Sequence, residues 1–324
     1  MLEGMFGRGR SGICVVNSFP HENREKRQSG VEYSGPMLSR LLILILALTG
    51  FASTGTMAAQ DNPEWTQPFP PYRIAGNIYY VGSKDLASYL ITTPKGEILI
   101  NSSLTNSVPL IRKSVEQLGF HFSDIKILLI SHAHYDHCAG SALIKELTHA
   151  QYMVMDADVP VVESGGKDDF QYAHRSEMLY PPAKVDRVLH DGDEVRLGGT
   201  VLVAHKTAGH TKGCTTWTMK VTDGGKTYDV VIVGSPNVNS GYKLVKNAAY
   251  PGIAQDYEAT FRTLKALPCD VFLGAHGGYF GMEAKYLRMK AGGANPFVDS
   301  EGYKSYVAER EQTFEKELAK QSGK

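Results

Sequence analysis

Between residues 131 and 137 the chain reads Ser-His-Ala-His-Tyr-Asp-His, placing three imidazoles and one carboxylate directly after the run Ile125 to Ile130. That run is apolar except for Lys126 and reads as a buried strand. A core has no use for such groups at a strand end, because each loses hydration on burial and must find a partner. His and carboxylate are the side chains that a hydrolytic zinc prefers. A tight loop after a strand can turn alternate side chains toward one point and the next pair toward another, so one loop is able to serve two adjacent metals. Its ligands cannot close two sites alone, so further ones must come from elsewhere in the chain.

Two other histidines follow apolar strands and sit among glycines, which let the backbone approach an ion closely. They are His210 in Ala208-Gly209-His210-Thr211 and His276 in Leu273-Gly274-Ala275-His276-Gly277-Gly278. His121, His149, His174, His190 and His205 lack such settings and are expected at the surface or behind the ligands.

The surrounding pattern alternates strands and helices. Strands are predicted at Ile78 to Val81, Ser88 to Thr92 and Ile98 to Ile100, with a turn at Lys95-Gly96. Val108, Ile111, Val115 and Leu118 share one face of a helix capped by Asn106 or Ser107. After the His-rich loop come a helix from Ser141 to Leu147 and a strand near Tyr152 to Met155. Further strands are expected near Val201 to His205, Thr215 to Lys220, Val230 to Val233 and Val271 to Leu273, with helices over Ala254 to Leu267 and Tyr303 to Lys320. Pro68 to Tyr72 reads as a Pro-rich approach to the first strand. Mixed strands with interspersed helices argue for an α/β fold, sheets covered by helices.

With 324 residues, 42% of them hydrophobic, the chain can bury a core without disulfide support. Lys plus Arg and Asp plus Glu are equal at 34 each, so no field of one sign gathers nucleic acid or an anionic membrane, and a small-molecule partner is expected. Arg40, the apolar run Leu41 to Leu48 and the small residues Thr56, Ala58 and Ala59 form a signal-peptide pattern too short to span a membrane. Met37 precedes it. Residues 1–36 are therefore expected to be an unfolded upstream extension, 37–59 a signal peptide and 60–324 a single exported domain, periplasmic or secreted, from a bacterium. Cys14 falls in the leader, and Cys138, Cys214 and Cys269 allow at most one disulfide, which the sequence does not assign. It leaves the oligomeric state open, a monomer being the default.

The motifs His132-x-His134-x-Asp136-His137, Gly209-His210-Thr211 and Gly274-Ala275-His276-Gly277 together resemble the metallo-β-lactamase superfamily in order and spacing, over about residues 74 to 290. The resemblance implies an αββα sandwich with the metals at one edge. It implies that His132, His134 and His210 hold a first zinc and Asp136, His137 and His276 a second. Glyoxalase II and many lactonases of the superfamily carry a bridging Asp where this chain has Gly234-Ser235-Pro236, and two β-lactamase subclasses carry a metal-binding Cys near Ser235. The third subclass of class B β-lactamases has neither, and the stretch Gly234 to Leu244 resembles its substrate loop. Lys212 departs from the Pro common there.

That resemblance implies hydrolysis of β-lactam antibiotics, and hence resistance, by hydroxide generated on zinc at neutral pH. Asp136 would orient the hydroxide, Tyr242 would donate to the developing oxyanion, and Ser235 and Asn239 would bind the substrate carboxylate. Lactone or thioester hydrolysis on the same scaffold is the alternative, and a non-catalytic zinc-dependent binding protein the third reading.

Overall fold

The computed structural model describes residues 62–323. The leader, the signal-peptide pattern and Cys14 lie outside the described residues. A first sheet holds β1 (Tyr72–Ala75), β2 (Ile78–Tyr80), β3 (Tyr89–Thr93), β4 (Gly96–Ile100), β5 (Ile125–Leu129), β6 (Gln151–Met155) and β7 (Arg187–Leu189), in that spatial order. Its first four strands pair antiparallel and the rest parallel. A second sheet runs β12-β11-β10-β9-β8, built from β8 (Glu194–Leu197), β9 (Thr200–Lys206), β10 (Thr215–Asp223), β11 (Lys226–Val233) and β12 (Val271–Gly274). Only β11 and β12 pair in parallel within it.

Strand periodicity explains the layering, since alternate residues of a strand face opposite sides of its sheet. Ile98, Ile100, Ile127 and Leu129 join Trp217, Met219 and Val221 of the second sheet in one core. Leu99, Leu128 and Ile130 point the other way, into a second core with Val108, Ile111 and Val115 of α1 (Val108–Gln117) and Ile144 of α3 (Ser141–Thr148). Both faces of β5 are thus buried, as its continuous apolar run requires. On the far face of the second sheet lie α5 (Ile253–Ala266) and α7 (Ser300–Gln321), whose Phe261 and Phe314 meet 5.7 Å apart. The expected two-sheet, helix-flanked architecture is present.

The differences from expectation are local. The β3–β4 turn is Pro94-Lys95, with Thr93 paired to Gly96. Gly96 sits at φ 113°, where a Cβ would lie 2.8 Å from the Asp124 carbonyl oxygen, so glycine begins β4 rather than ending the turn. Elements β1, β7, β8, α4 (Val159–Glu163) and α6 (Met282–Ala291) were not legible in the sequence. The strands among them are four residues or fewer, and α6 buries only Met282 and Lys285, so neither shows a full period. Among the described residues no helix is long and apolar enough to cross a membrane. Cys138, Cys214 and Cys269 are all free thiols.

Glu97, in β4 of the first sheet, is 7% exposed with its Oε2 unpartnered. Burial, aided by Asp124, pushes its carboxyl up to about 7. The folded state therefore holds a proton that the unfolded chain releases near its ordinary value, and stability falls as pH rises from about 4.5 to about 7. Glu97→Gln is expected to melt higher than the parent at pH 8 and no higher at pH 4.5. Thermal unfolding at both values checks this, and an equal shift at each would remove the charge as its cause.

Candidate metal centre

Strand β5 ends where Ser131 N donates to Asn101 Oδ1 at 2.7 Å and the Ser131 carbonyl accepts from Thr215 N at 2.7 Å. These contacts hold the His-rich loop between the two sheets. The loop runs extended through His134 and then coils into the single turn α2 (Tyr135–Cys138), which carries Asp136 and His137. His210 comes from the loop between β9 and β10, and His276 from the end of β12. At Gly209, φ is 129° and a Cβ would strike the Tyr257 ring at 2.7 Å, so only glycine lets this loop close over α5.

The side chains form two clusters. Ligand atoms of His132, His134 and His210 lie within 4.8 Å of one another, as do those of His132, Asp136 and His137. His276 stands beside the second cluster. Asp136 Oδ2, His137 Nε2 and His276 Nε2 form a triangle with sides of 3.0, 3.1 and 3.5 Å. Two ligands about 2.05 Å from one ion at the tetrahedral angle are about 3.3 Å apart, so the triangle matches one face of such a site.

Hydrogen bonds select which ring nitrogens point inward. His210 Nδ1 donates to the Asn237 carbonyl at 2.8 Å, leaving its Nε2 as an acceptor, and His276 Nδ1 donates to Asp85 Oδ2 at 2.9 Å, which turns its Nε2 toward Asp136. His132 Nε2 is buried without a partner, a costly state that a cation relieves. His134 turns its Nε2 toward the Tyr242 hydroxyl at 3.5 Å and Asp169 at 3.7 Å.

Burial, helped by the neighbouring imidazoles, holds His132 and His210 well below the usual imidazole range, and burial lowers His134 to about 4. Their lone pairs are free at neutral pH. Burial opposes charge on His276 as well, but hydrogen bonds to Asp136 and Asp85 outweigh it and raise the group to about 9. Burial likewise works against ionisation of Asp136, yet His137 and His276 hold it well below the carboxylate range. Low imidazoles beside an ionised, shared carboxylate suit a cationic occupant.

His134, Asp136, His210 and His276 line a cavity of about 500 Å³. Its walls include Trp65, Tyr135, Tyr172, Met178, Asn237 and Asn239.

A sequence model described as the metallo-beta-lactamase superfamily matches residues 86–276, more than half of the chain. The structure is similar to that of the native FEZ-1 metallo-β-lactamase from Legionella gormanii, with 58% identity and a TM-score of 0.79 over 79% of this chain and 98% of that one. It is similar as well to the class B3 di-zinc metallo-β-lactamase LRA-12 from an Alaskan soil metagenome, at 37% identity and a TM-score of 0.76, covering 79% and 97%. The chain belongs to the class B3 metallo-β-lactamases. A more distant relative, the probable metallo-hydrolase MJ0888 of Methanocaldococcus jannaschii, is 25% identical over 39% of this chain and 58% of its own length.

In this metallo-β-lactamase Ser235 and Tyr242, both expected at the substrate, are buried. Ser235 is 1% exposed and its hydroxyl lies 3.1 Å from Tyr279 Oη, so it braces the wall from behind rather than facing the cavity. Tyr242 is 2% exposed and donates its hydroxyl to the His210 carbonyl at 2.8 Å. That bond ties the phenol to the backbone of a proposed metal ligand. Losing a direct oxyanion donor costs about 10²–10³ in kcat. Tyr242→Phe is expected to cost less than about tenfold, the scale of one neutral hydrogen bond, as initial-rate kinetics will show. Asn239 does stand on the wall, its Nδ2 donating to Tyr172 Oη at 3.0 Å. Lys212 places its ammonium 5.5 Å over the Tyr250 ring. None of His121, His149, His174, His190 and His205 lines the cavity.

Several residues around the metal centre escaped sequence reasoning. Asp85 orients His276 and accepts from Trp65 Nε1 at 3.1 Å. Buried Asp158 accepts from Ala133 N at 2.9 Å, Thr211 Oγ1 at 2.7 Å and Gly213 N at 2.8 Å, joining the loop of His132 and His134 to that of His210. Gly213 must be glycine for this, since a Cβ would meet Asp158 N at 2.5 Å. Isolated aspartates in unpatterned loops carry no periodicity or spacing that would mark them.

Proposed function

We propose that the protein is a β-lactamase that opens the β-lactam amide bond with two zinc ions, the first held by His132, His134 and His210 and the second by Asp136, His137 and His276. The observation that carries this reading is the pair of ligand clusters at the wall of one cavity, one of them a triangle of tetrahedral dimensions. Zinc in such a site supplies a Lewis acid and water whose pKa is lowered to about 7.

The chain's own residues do the rest. Asp85 and the Asn237 carbonyl keep the rings of His276 and His210 in one tautomer and orientation. Asp136 lines the cavity and, held ionised, accepts a hydrogen bond from the attacking water and aims it at the lactam carbonyl. Asn239 and Tyr172 meet the substrate at the cavity wall, where the amide of Asn239 donates to its carboxylate. Trp65 and Met178 offer apolar surface to the substituents of the bicyclic core. The absence of a carboxylate or thiol at Ser235 supports separate ligand sets and argues against the lactonase alternative.

Export through residues 37–59 belongs to the same proposal, and protein recovered from the periplasm should begin near Ala59 or Gln60. Purified mature protein is expected to hydrolyse a carbapenem and a cephalosporin, to lose turnover with a chelator and to regain it with zinc. Metal analysis should find two zinc ions per chain. Fully metallated protein that turns over neither substrate would overturn the reading and direct attention to lactones and thioesters.

A further inference from the structure

The last turn of α7 touches the loop that carries Asn239 and Tyr242. Gln321 accepts from Leu244 N through Oε1 at 2.7 Å and donates from Nε2 to the Tyr242 carbonyl at 2.8 Å. Its second Nε2 hydrogen goes to Glu317 Oε1, one turn earlier, at 2.9 Å. The amide orientation is dictated by its partners, because a backbone N–H only donates and a carbonyl only accepts. One side chain therefore pairs with residues 242 and 244 as a neighbouring strand would. This segment otherwise lacks regular structure: residues 234–252 form no strand or helix.

We infer that Gln321 is a positioning residue that sets the substrate loop, and through it substrate affinity, by clamping the backbone of Tyr242 and Leu244 from the C-terminal helix. The inference rests on the β-lactamase reading. Its mechanical path is short. Tyr242 N donates to the Asn239 carbonyl at 3.1 Å, so a fixed residue 242 fixes the turn that presents Asn239 to the cavity. Across the mouth, Asn239 meets Tyr172, and Gln171 Nε2 reaches the Gly241 carbonyl at 3.4 Å, so the clamped loop also sets the opposite wall. None of the proposed ligands touches Gln321; the path to them runs through Tyr242, whose hydroxyl donates to the His210 carbonyl.

Two variants divide the possibilities. Gln321→Ala removes both contacts, and Gln321→Glu keeps the acceptor for Leu244 N but sets a carboxylate oxygen against the Tyr242 carbonyl. For a carbapenem both are expected to raise KM by about five- to thirtyfold, the span of one to two neutral hydrogen bonds. We expect kcat within about threefold of the parent, and zinc content unchanged. Hydrogen–deuterium exchange on the metallated protein provides a readout independent of turnover: amides of 239–247 should lose protection in both variants while β5 and β10 keep theirs. Unchanged exchange in this loop would overturn the clamp whatever the kinetics. Faster exchange with unchanged KM would overturn its role in affinity, and loss of zinc together with kcat would make the role a structural one. A parent enzyme without β-lactam turnover would sink the β-lactamase reading alone, with the exchange result still deciding the clamp.

Discussion

Asp136→Ala is expected to lower kcat/KM for a carbapenem by about 10³-fold or more while the protein remains folded and keeps one zinc. Removal of an outer-shell partner of a metal ligand costs about 10- to 100-fold, and a ligand that also orients the nucleophile must cost more. In this chain the carboxylate is the corner that joins His137 at 3.0 Å to His276 at 3.5 Å. Without it two buried imidazoles remain 3.1 Å apart with no anion between them, too few donors to retain a cation. His132, His134 and His210 are untouched, so the loss should be one ion of two. Steady-state kinetics combined with metal analysis reads both numbers. Turnover within tenfold of the parent at two ions per chain would remove Asp136 from the centre.

Asp158→Ala should act at a distance. Its carboxylate is the common acceptor for Ala133 N, Thr211 Oγ1 and Gly213 N, so truncation leaves two buried N–H groups unpaired. Each orphan costs about 1–3 kcal/mol, partly offset by the release of a buried charge, for a net loss of roughly 2–4 kcal/mol. The two loops it joins carry His132, His134 and His210, so affinity for the first zinc should fall about 10- to 100-fold. Denaturant unfolding of the metal-free protein isolates the first effect, and competition with a chromophoric chelator measures the second. Lowered stability with unchanged zinc affinity would make Asp158 a prop for the fold alone. Unlike Asp136→Ala, this variant should recover turnover when zinc is raised, since every ligand is still present.

How much of this was legible beforehand depended on whether the signal was local. The continuous apolar run of β5, the 3.6-residue face of α1 and the glycine-flanked His210 and His276 each show in a short window, and the elements follow them to within a residue or two. Short strands such as β7 and β8 do not, because three or four residues cannot display a period. The segment Gly234 to Leu244 was placed in sequence, but the direction of its side chains was not. Nothing in Gly234 to Leu244 says that Ser235 and Tyr242 face inward while Asn239 faces the cavity, since an irregular segment has no alternation to read.

What the amino-acid sequence determined by itself was the chemistry and the order of the parts: the ligand types, their spacing after buried strands, and the missing acid at Ser235. Tertiary structure alone decided which nitrogen of each histidine faces its neighbours, which hydroxyls were already committed, and that Asp85, Asp158 and Gln321 hold the loops in place. The reason is physical. Ligand identity is a property of single residues. Orientation is set by hydrogen-bond partners that stand 25 residues away for Asp158 and Ala133, 191 for Asp85 and His276, and 77 for Gln321 and Leu244. Such pairs meet only when both sheets and their covering helices have closed.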